Sequence, residues 1–172
     1  MLDDNLKLSI SQIQELWDNR PKKAHKIKLF GKEYDTPRLQ EAFGRSYCFS
    51  GTTSQASKPI PEMFQNHIKF LKEKYDVDYN MVLINWYRDD YISMHSDNEK
   101  QIKKNTPVAT LSLGIEREFI LQNKTNKEKN KFVLENNSVF VMGGTCQTTH
   151  KHGINKKKNI DRYRSVTFRE FL

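Results

Sequence analysis

Residues 81–97 read MVLINWYRDDYISMHSD, and this stretch decides the fold. Met81 to Tyr87 is apolar, partly β-branched and aromatic, and bounded by polar residues, so it reads as a strand. Arg88-Asp89-Asp90 reads as a turn, and Tyr91-Ile92-Ser93-Met94 leads directly into His95. Residues two apart in an extended segment point to the same side. His95 and Asp97 can therefore converge on one metal, while Asn85 and Tyr87 share a face. A His-x-Asp pair plus one distant His is the ligand set of a non-haem Fe(II) oxygenase: two nitrogens and a carboxylate occupy one face of the iron and leave the other open. His150 and His152 both offer the distant imidazole. They are two residues apart, so strand parity puts both on one side and does not choose between them.

Outward from this stretch, the chain after residue 78 predicts short strands at Met81–Tyr87, Val108–Leu113, Arg117–Gln122, Lys131–Glu135, Ser138–Met142, Thr148–His152 and Tyr163–Phe168. Gly114, Asn123 to Asn130, Asn136-Asn137, Gly143-Gly144 and Gly153 to Asp161 supply the breaks. Many short strands at this spacing argue for a sandwich or barrel. Before residue 78, Ser11 to Trp17 predicts a short helix capped by Ser9 or Ser11. Ile27 to Tyr34 predicts a hairpin with a Gly-containing turn, Pro37 to Gly44 a connector, and Pro61 to Tyr75 an amphipathic helix.

The 172 residues suit one domain with a substantial core. No stretch approaches the roughly 20 apolar residues of a membrane span. Met1-Leu2-Asp3-Asp4 lacks the basic and apolar regions of a secretory signal. Cys48 and Cys146 are too few for a zinc site, which needs about four ligands, and are expected to be reduced thiols. The expectation is a soluble intracellular monomer, in nucleus or nucleoid according to source. The formal charge is +8, concentrated at Lys100 to Lys104, Lys124 to Lys131 and Lys151 to Arg164. Such clusters form either a solvated lysine-rich surface or a surface for a polyanion, whose phosphates give affinity without sequence information.

Further elements occur in a fixed order: Phe30-Gly31-Lys32, Pro37-Arg38, Phe49-Ser50-Gly51, Asn85-x-Tyr87, His95-x-Asp97, Leu111-Ser112-Leu113-Gly114, Arg117-x-Phe119, His152 and Thr167-Phe168-Arg169. Together they resemble the AlkB family of Fe(II)- and 2-oxoglutarate-dependent nucleic-acid dealkylases over roughly residue 25 to the C-terminus. The Phe-Gly-Lys tip and Phe-Ser-Gly segment are most similar to the animal-type members that repair duplex DNA. The resemblance implies an α+β, mainly β chain with a double-stranded β-helix (jelly-roll) core. It implies a single dioxygenase domain over 1–172, with N-terminal helices and a hairpin-bearing nucleotide-recognition lid in 1–78 and the catalytic core in 79–172.

By the same resemblance His95, Asp97 and His152 bind Fe(II), since His152-Gly153-Ile154 matches the family's third-ligand pattern. Asn85, Tyr87, Ser165, Thr167 and Arg169 contact 2-oxoglutarate, with the Arg169 guanidinium fork expected on its distal carboxylate. The family carries a second Arg six residues before Arg169; this chain has Tyr163 there, flanked by Arg162 and Arg164. Alternation points both arginines away from the site, unless a β-bulge re-aims one. Phe30 would fill the gap left by a flipped base, as an apolar wedge between base steps. Tyr47, Phe49 and Ser50 would line the base pocket, and Glu99 would accept a hydrogen bond from an exocyclic amine. The implied reaction is oxidative demethylation of 1-methyladenine and 3-methylcytosine in single- or double-stranded DNA, releasing formaldehyde as 2-oxoglutarate and O2 are consumed. The alternatives are an RNA-directed demethylase of the same family and a protein or small-molecule hydroxylase on the same fold.

Overall fold

Period-two patterning dominates after residue 78, and the computed structural model, which describes residues 6–49, 52–87, 91–156 and 163–172, resolves it into two sheets. Helix α1 (Ile10–Asp18) comes first, followed by a hairpin of β1 (Lys26–Leu29) and β2 (Lys32–Asp35). Strands β3 (Arg38–Phe43), β4 (Tyr47–Phe49), β5 (Thr52–Ser54) and β6 (Ala56–Lys58) lead to helix α2 (Gln65–Tyr75). Then follow β7 (Met81–Tyr87), β8 (Ile92–His95), β9 (Val108–Leu113), β10 (Arg117–Asn123), β11 (Lys129–Leu134) and β12 (Ser138–Met142). A helical turn α3 (Cys146–Thr149) precedes β13 (His150–Ile154) and β14 (Arg164–Arg169).

One sheet has the order β12-β9-β14-β7-β3-β6 and the other β11-β10-β13-β8. Every pairing in them is antiparallel except β3 with β6. This is the expected jelly roll. β7 lies inside the larger sheet with both faces covered, so apart from Asn85 it is an apolar run. Val82, Ile84 and Trp86 turn towards the helices and pack in one core with Leu16, Phe64, Leu71, Val166 and Phe168. Leu83, Asn85 and Tyr87 turn the other way and line a cavity, as do Ser165, Thr167 and Arg169 of β14. Strand alternation thus sorts one segment into a structural face and a chemical face.

Helix α1 starts where the sequence directs it. Ser9 accepts from the Gln12 N–H and the Gln12 side chain accepts from the Ser9 N–H, a capping box. The helix is tied to the sheet by the Trp86 indole, which donates to the Leu16 carbonyl at 2.8 Å. Helix α2 is preceded by a tighter turn at Glu62–Phe64 that begins after Pro61. Among the described residues no helix is long and apolar enough to cross a membrane. Both cysteines are free.

Two expectations are corrected. Pro37 to Gly44 is not a connector: residues 38–43 form β3, inside the larger sheet beside β7. Its polar Gln40 is buried because the side-chain amide donates to Asn85 Oδ1 at 2.8 Å, a partner invisible to local patterning. The strand expected at Thr148–His152 begins only at His150. Thr148 and Thr149 both bond the Thr145 carbonyl through their hydroxyls, which closes a helical turn instead. The turn expected at Arg88-Asp89-Asp90 lies outside the described residues.

Candidate active site

His95, Asp97 and His152 come together, with one ligand atom from each lying within 4.8 Å of the others. Strand register produces this: His95 of β8 lies directly opposite His152 of β13, and their ring centroids are 4.3 Å apart. Gly153 makes the pairing feasible. A Cβ there would stand 2.6 Å from the Ile92 carbonyl oxygen, too close for any other residue. His150 lies outside this group, its Nδ1 2.8 Å from Thr149 Oγ1.

Each ligand atom is aimed. His95 Nδ1–H donates to the Ser93 carbonyl at 2.7 Å, which fixes the tautomer and leaves Nε2 to face Asp97 Oδ1 at 3.5 Å. The His152 ring stacks on Phe119 with centroids 5.5 Å apart. Burial pushes the His152 pKa down to about 4, against the pull of Asp97, so the imidazole is neutral and ready to ligate. Burial alone would raise the Asp97 pKa; the Arg169 guanidinium, then His95 and His152, hold it well below the usual range instead. The Asp97 backbone N–H donates to Gln147 Oε1 at 2.8 Å.

Arg169 has a partner that the sequence did not indicate. Its Nη2 pairs with Asp97 Oδ2 at 2.9 Å, so the guanidinium lies beside the His95, Asp97 and His152 group. β14 ends beside the loop that carries Asp97, and that register forces the pairing. Arg169 Nε and Nη1 are buried without a partner, which leaves two donors for an anion there. Away from this end the cavity wall is a row of hydroxyls and amides. Asn85 Nδ2 donates to Ser165 Oγ at 3.4 Å, Tyr87 Oη lies 3.1 Å from the same oxygen, and Thr167 lies opposite Thr110. Tyr163 closes the row, its ring stacked on Tyr87 with centroids 5.2 Å apart. Arg164 points away, donating to the Ile13 carbonyl at 3.1 Å; Arg162 lies outside the described residues. This set of orphaned donors and neutral walls fits a dicarboxylate, and the His-Asp-His group fits Fe(II).

The cavity, about 510 Å³ in volume, is also lined by Ile27, Thr36, Pro37, Arg38, Tyr47 and Glu99. Tyr47 donates to Glu99 Oε1 at 2.5 Å, and the Arg169 guanidinium lies 5.0 Å over the Tyr47 ring. Glu99 Oε2 is buried with no partner. Phe30 stands at the tip of the β1–β2 hairpin, fully exposed. Phe49 belongs to β4, and Ser50 lies outside the described residues. Sequence reasoning missed Gln147 and Gln40, which work through partners far along the chain, and saw Arg117 only as part of a motif. Arg38 was visible only as part of a motif, yet it lines the cavity.

Fold and site together define a jelly-roll protein whose His95, Asp97 and His152 group could hold one metal ion, with unpaired buried donors of Arg169 beside it. The description "2OG-Fe(II) oxygenase superfamily" matches residues 6–169, and the chain belongs to that superfamily. Membership implies Fe(II), 2-oxoglutarate and O2. The relatives are AlkB-like, as the sequence motifs indicate. DNA oxidative demethylase ALKBH2 of Homo sapiens is 29% identical over 163 residues, covering 86% of this chain and 61% of that protein. Alpha-ketoglutarate-dependent dioxygenase alkB homolog 3 of Rattus norvegicus is 27% identical over 149 residues, covering 79% of this chain and 50% of that one. The chain thus spans about three fifths of the human ALKBH2 relative's length, 61%. The solved structure of OsALKBH1 shares the fold, with a TM-score of 0.64 at 18% identity over 99% of this chain and 92% of that one.

Proposed function

We propose that this chain is an oxidative demethylase of N-alkylated bases in nucleic acid, with 1-methyladenine and 3-methylcytosine in DNA as its substrates. The observation that carries the reading is Glu99. Its Oε2 is a buried acceptor with no partner, in the same cavity as the His95, Asp97 and His152 group. An exocyclic amine on a flipped base is the donor such an oxygen lacks, and both methylated bases carry one. The names of the ALKBH2 relatives point the same way.

His95 Nε2, an Asp97 carboxylate oxygen and His152 would hold Fe(II), which with O2 and 2-oxoglutarate supplies the oxidation of the N-methyl carbon; the hydroxylated carbon then leaves as formaldehyde. The chain's own residues set the geometry. Arg169 keeps Asp97 ionised and offers its two unpaired donors to an anion beside the metal. Asn85, Tyr87, Ser165 and Thr167 orient that anion. Tyr47 fixes Glu99 by its short bond, which leaves Oε2 for the base. The Phe30 side chain, projecting from the hairpin, would occupy the space a flipped base vacates, and base–aromatic stacking contributes about 1–3 kcal/mol.

The test is incubation with 1-methyladenine or 3-methylcytosine oligonucleotides, Fe(II), ascorbate and 2-oxoglutarate. The unmethylated base and formaldehyde are expected. No repair on any single- or double-stranded DNA or RNA would sink the reading.

A further inference from the structure

We infer that Tyr163, with Ser112 beside it and Arg117 behind its ring, seats the carboxylate of 2-oxoglutarate that lies away from the metal. The inference rests on the reading of the site just given. A dicarboxylate held at the metal by one end must place its second carboxylate elsewhere in the same cavity. The described acidic side chains lining that cavity, Asp97 and Glu99, are both at the metal and base end. Arg169 is also at that end, already paired with Asp97. The Tyr163 end is free of acids among the described residues and lined by hydroxyls.

Tyr163 is 1% exposed, and its Oη is buried without a hydrogen-bond partner. Ser112 lies directly opposite Ser165 in the β9–β14 register and so shares its cavity-side face. The Ser112 hydroxyl is close enough to act on the phenol, yet neither oxygen makes a bond of good geometry. Burial raises the Tyr163 pKa, then Tyr87 raises it further, with Ser112 and Arg117 opposing. The hydroxyl is therefore a protonated donor, suited to an incoming oxyanion.

Arg117 supplies the charge. It is 2% exposed, donates Nη2 to the Asn155 carbonyl at 2.8 Å, and holds its guanidinium carbon 5.2 Å over the Tyr163 ring. On β10 it shares a face with Phe119, two residues on, which lines the cavity. A cation over the ring makes the phenol a stronger donor and offsets the negative charge of a carboxylate bound at its edge. The seat is thus a phenol backed by a guanidinium. It discriminates less sharply against keto acids lacking the second carboxylate than a direct bidentate arginine would.

The experiment is calorimetric binding to the full chain loaded with Mn(II) in the absence of O2. Two ligands are compared: 2-oxoglutarate, and 2-oxopentanoate, which has the same carbon chain without the far carboxylate. Tyr163→Phe keeps the ring stack. It is expected to weaken 2-oxoglutarate by about tenfold to a hundredfold, the range for one hydrogen bond to a charged group, and to leave 2-oxopentanoate unchanged. Arg117→Gln, checked for folding by thermal melting, should show the same ligand-selective loss. Unchanged 2-oxoglutarate affinity in Tyr163→Phe, or equal loss for both ligands, overturns the seat while leaving the metal site intact. A wild-type chain that binds neither ligand overturns the site reading itself.

Discussion

The metal end of the cavity and the tip of the β1–β2 hairpin are built on opposite terms. At the metal end every group is held twice. Asp97 is fixed by Arg169 on its side chain and by Gln147 on its backbone, and His95 by both Ser93 and its register with His152. At the tip, Phe30 and Gly31 are the two residues of the turn, and both have positive φ, 51° and 78°. Two-residue hairpins favour that geometry because it matches strand twist, but it suits Asn and Gly rather than Phe. The Phe30 side chain packs on nothing and is fully exposed. One end spends contacts on rigidity; the other keeps a bulky apolar residue in a strained position that packing does not explain. Strain of that kind concentrates where a binding partner is met.

The largest expected effect tests the rigid end. Asp97 and Arg169 are both buried, so Asp97→Ala leaves a guanidinium charge without its partner. Breaking a buried pair in this way costs about 3–5 kcal/mol, a fall in Tm of roughly 6–20 °C for a chain of this size. Metal binding should vanish in the same variant. Thermal melting with and without Mn(II) reads both effects. An Asp97→Ala chain as stable as wild type would show that the metal end is not held as described.

A smaller effect is expected one layer out. Gln147→Ala leaves the metal ligands chemically intact but strands the buried Asp97 N–H. The expected penalty is about 1–3 kcal/mol in stability. Metal affinity should drop on the order of tenfold to a hundredfold, as when outer partners of metal ligands are removed. Calorimetric titration with Mn(II) measures this. If stability falls while metal affinity holds, Gln147 supports the α3 turn and does not position Asp97.

The same contrast governs what the sequence disclosed. His95 and Asp97 were legible because residues two apart in an extended segment share a side, and β7 because a strand covered on both faces is mostly apolar. Strand β3 was not legible: Arg38-Leu39-Gln40-Glu41-Ala42-Phe43 mixes polar and apolar residues without alternation, and Gln40 is buried beside its partner Asn85, 45 residues away. Gln147 escaped notice, and Arg117 showed only as part of a motif, for the same reason: they act on partners 50 and 38 residues distant. Tyr163 was legible as a departure from the family pattern. The guanidinium behind its ring comes from another strand and needed the fold. Arg169 was found, but its pairing with Asp97 was not, because spacing along one strand does not say which neighbouring loop a long side chain will meet.

The smallest stability effect, and the sharpest test of the comparison, lies at the tip. Phe30→Ala removes the ring but keeps a Cβ at positive φ, so Tm should stay near the wild-type value. Phe30→Gly also removes the strain, and any gain in stability should not exceed about 1 kcal/mol, a Tm rise of roughly 2–4 °C at most. Both variants should lose about tenfold in demethylation of methylated duplex DNA, within the range of one lost base–aromatic stack. Neither should lose activity on single strands, where no stack has to be opened and refilled. A glycine chain that is more stable yet slower on duplex would mean the strained phenylalanine is kept for substrate, at a cost to the fold. Equal losses on duplex and single strand would instead place Phe30 in general nucleic-acid contact, and the contrast between the two ends would then be one of exposure alone.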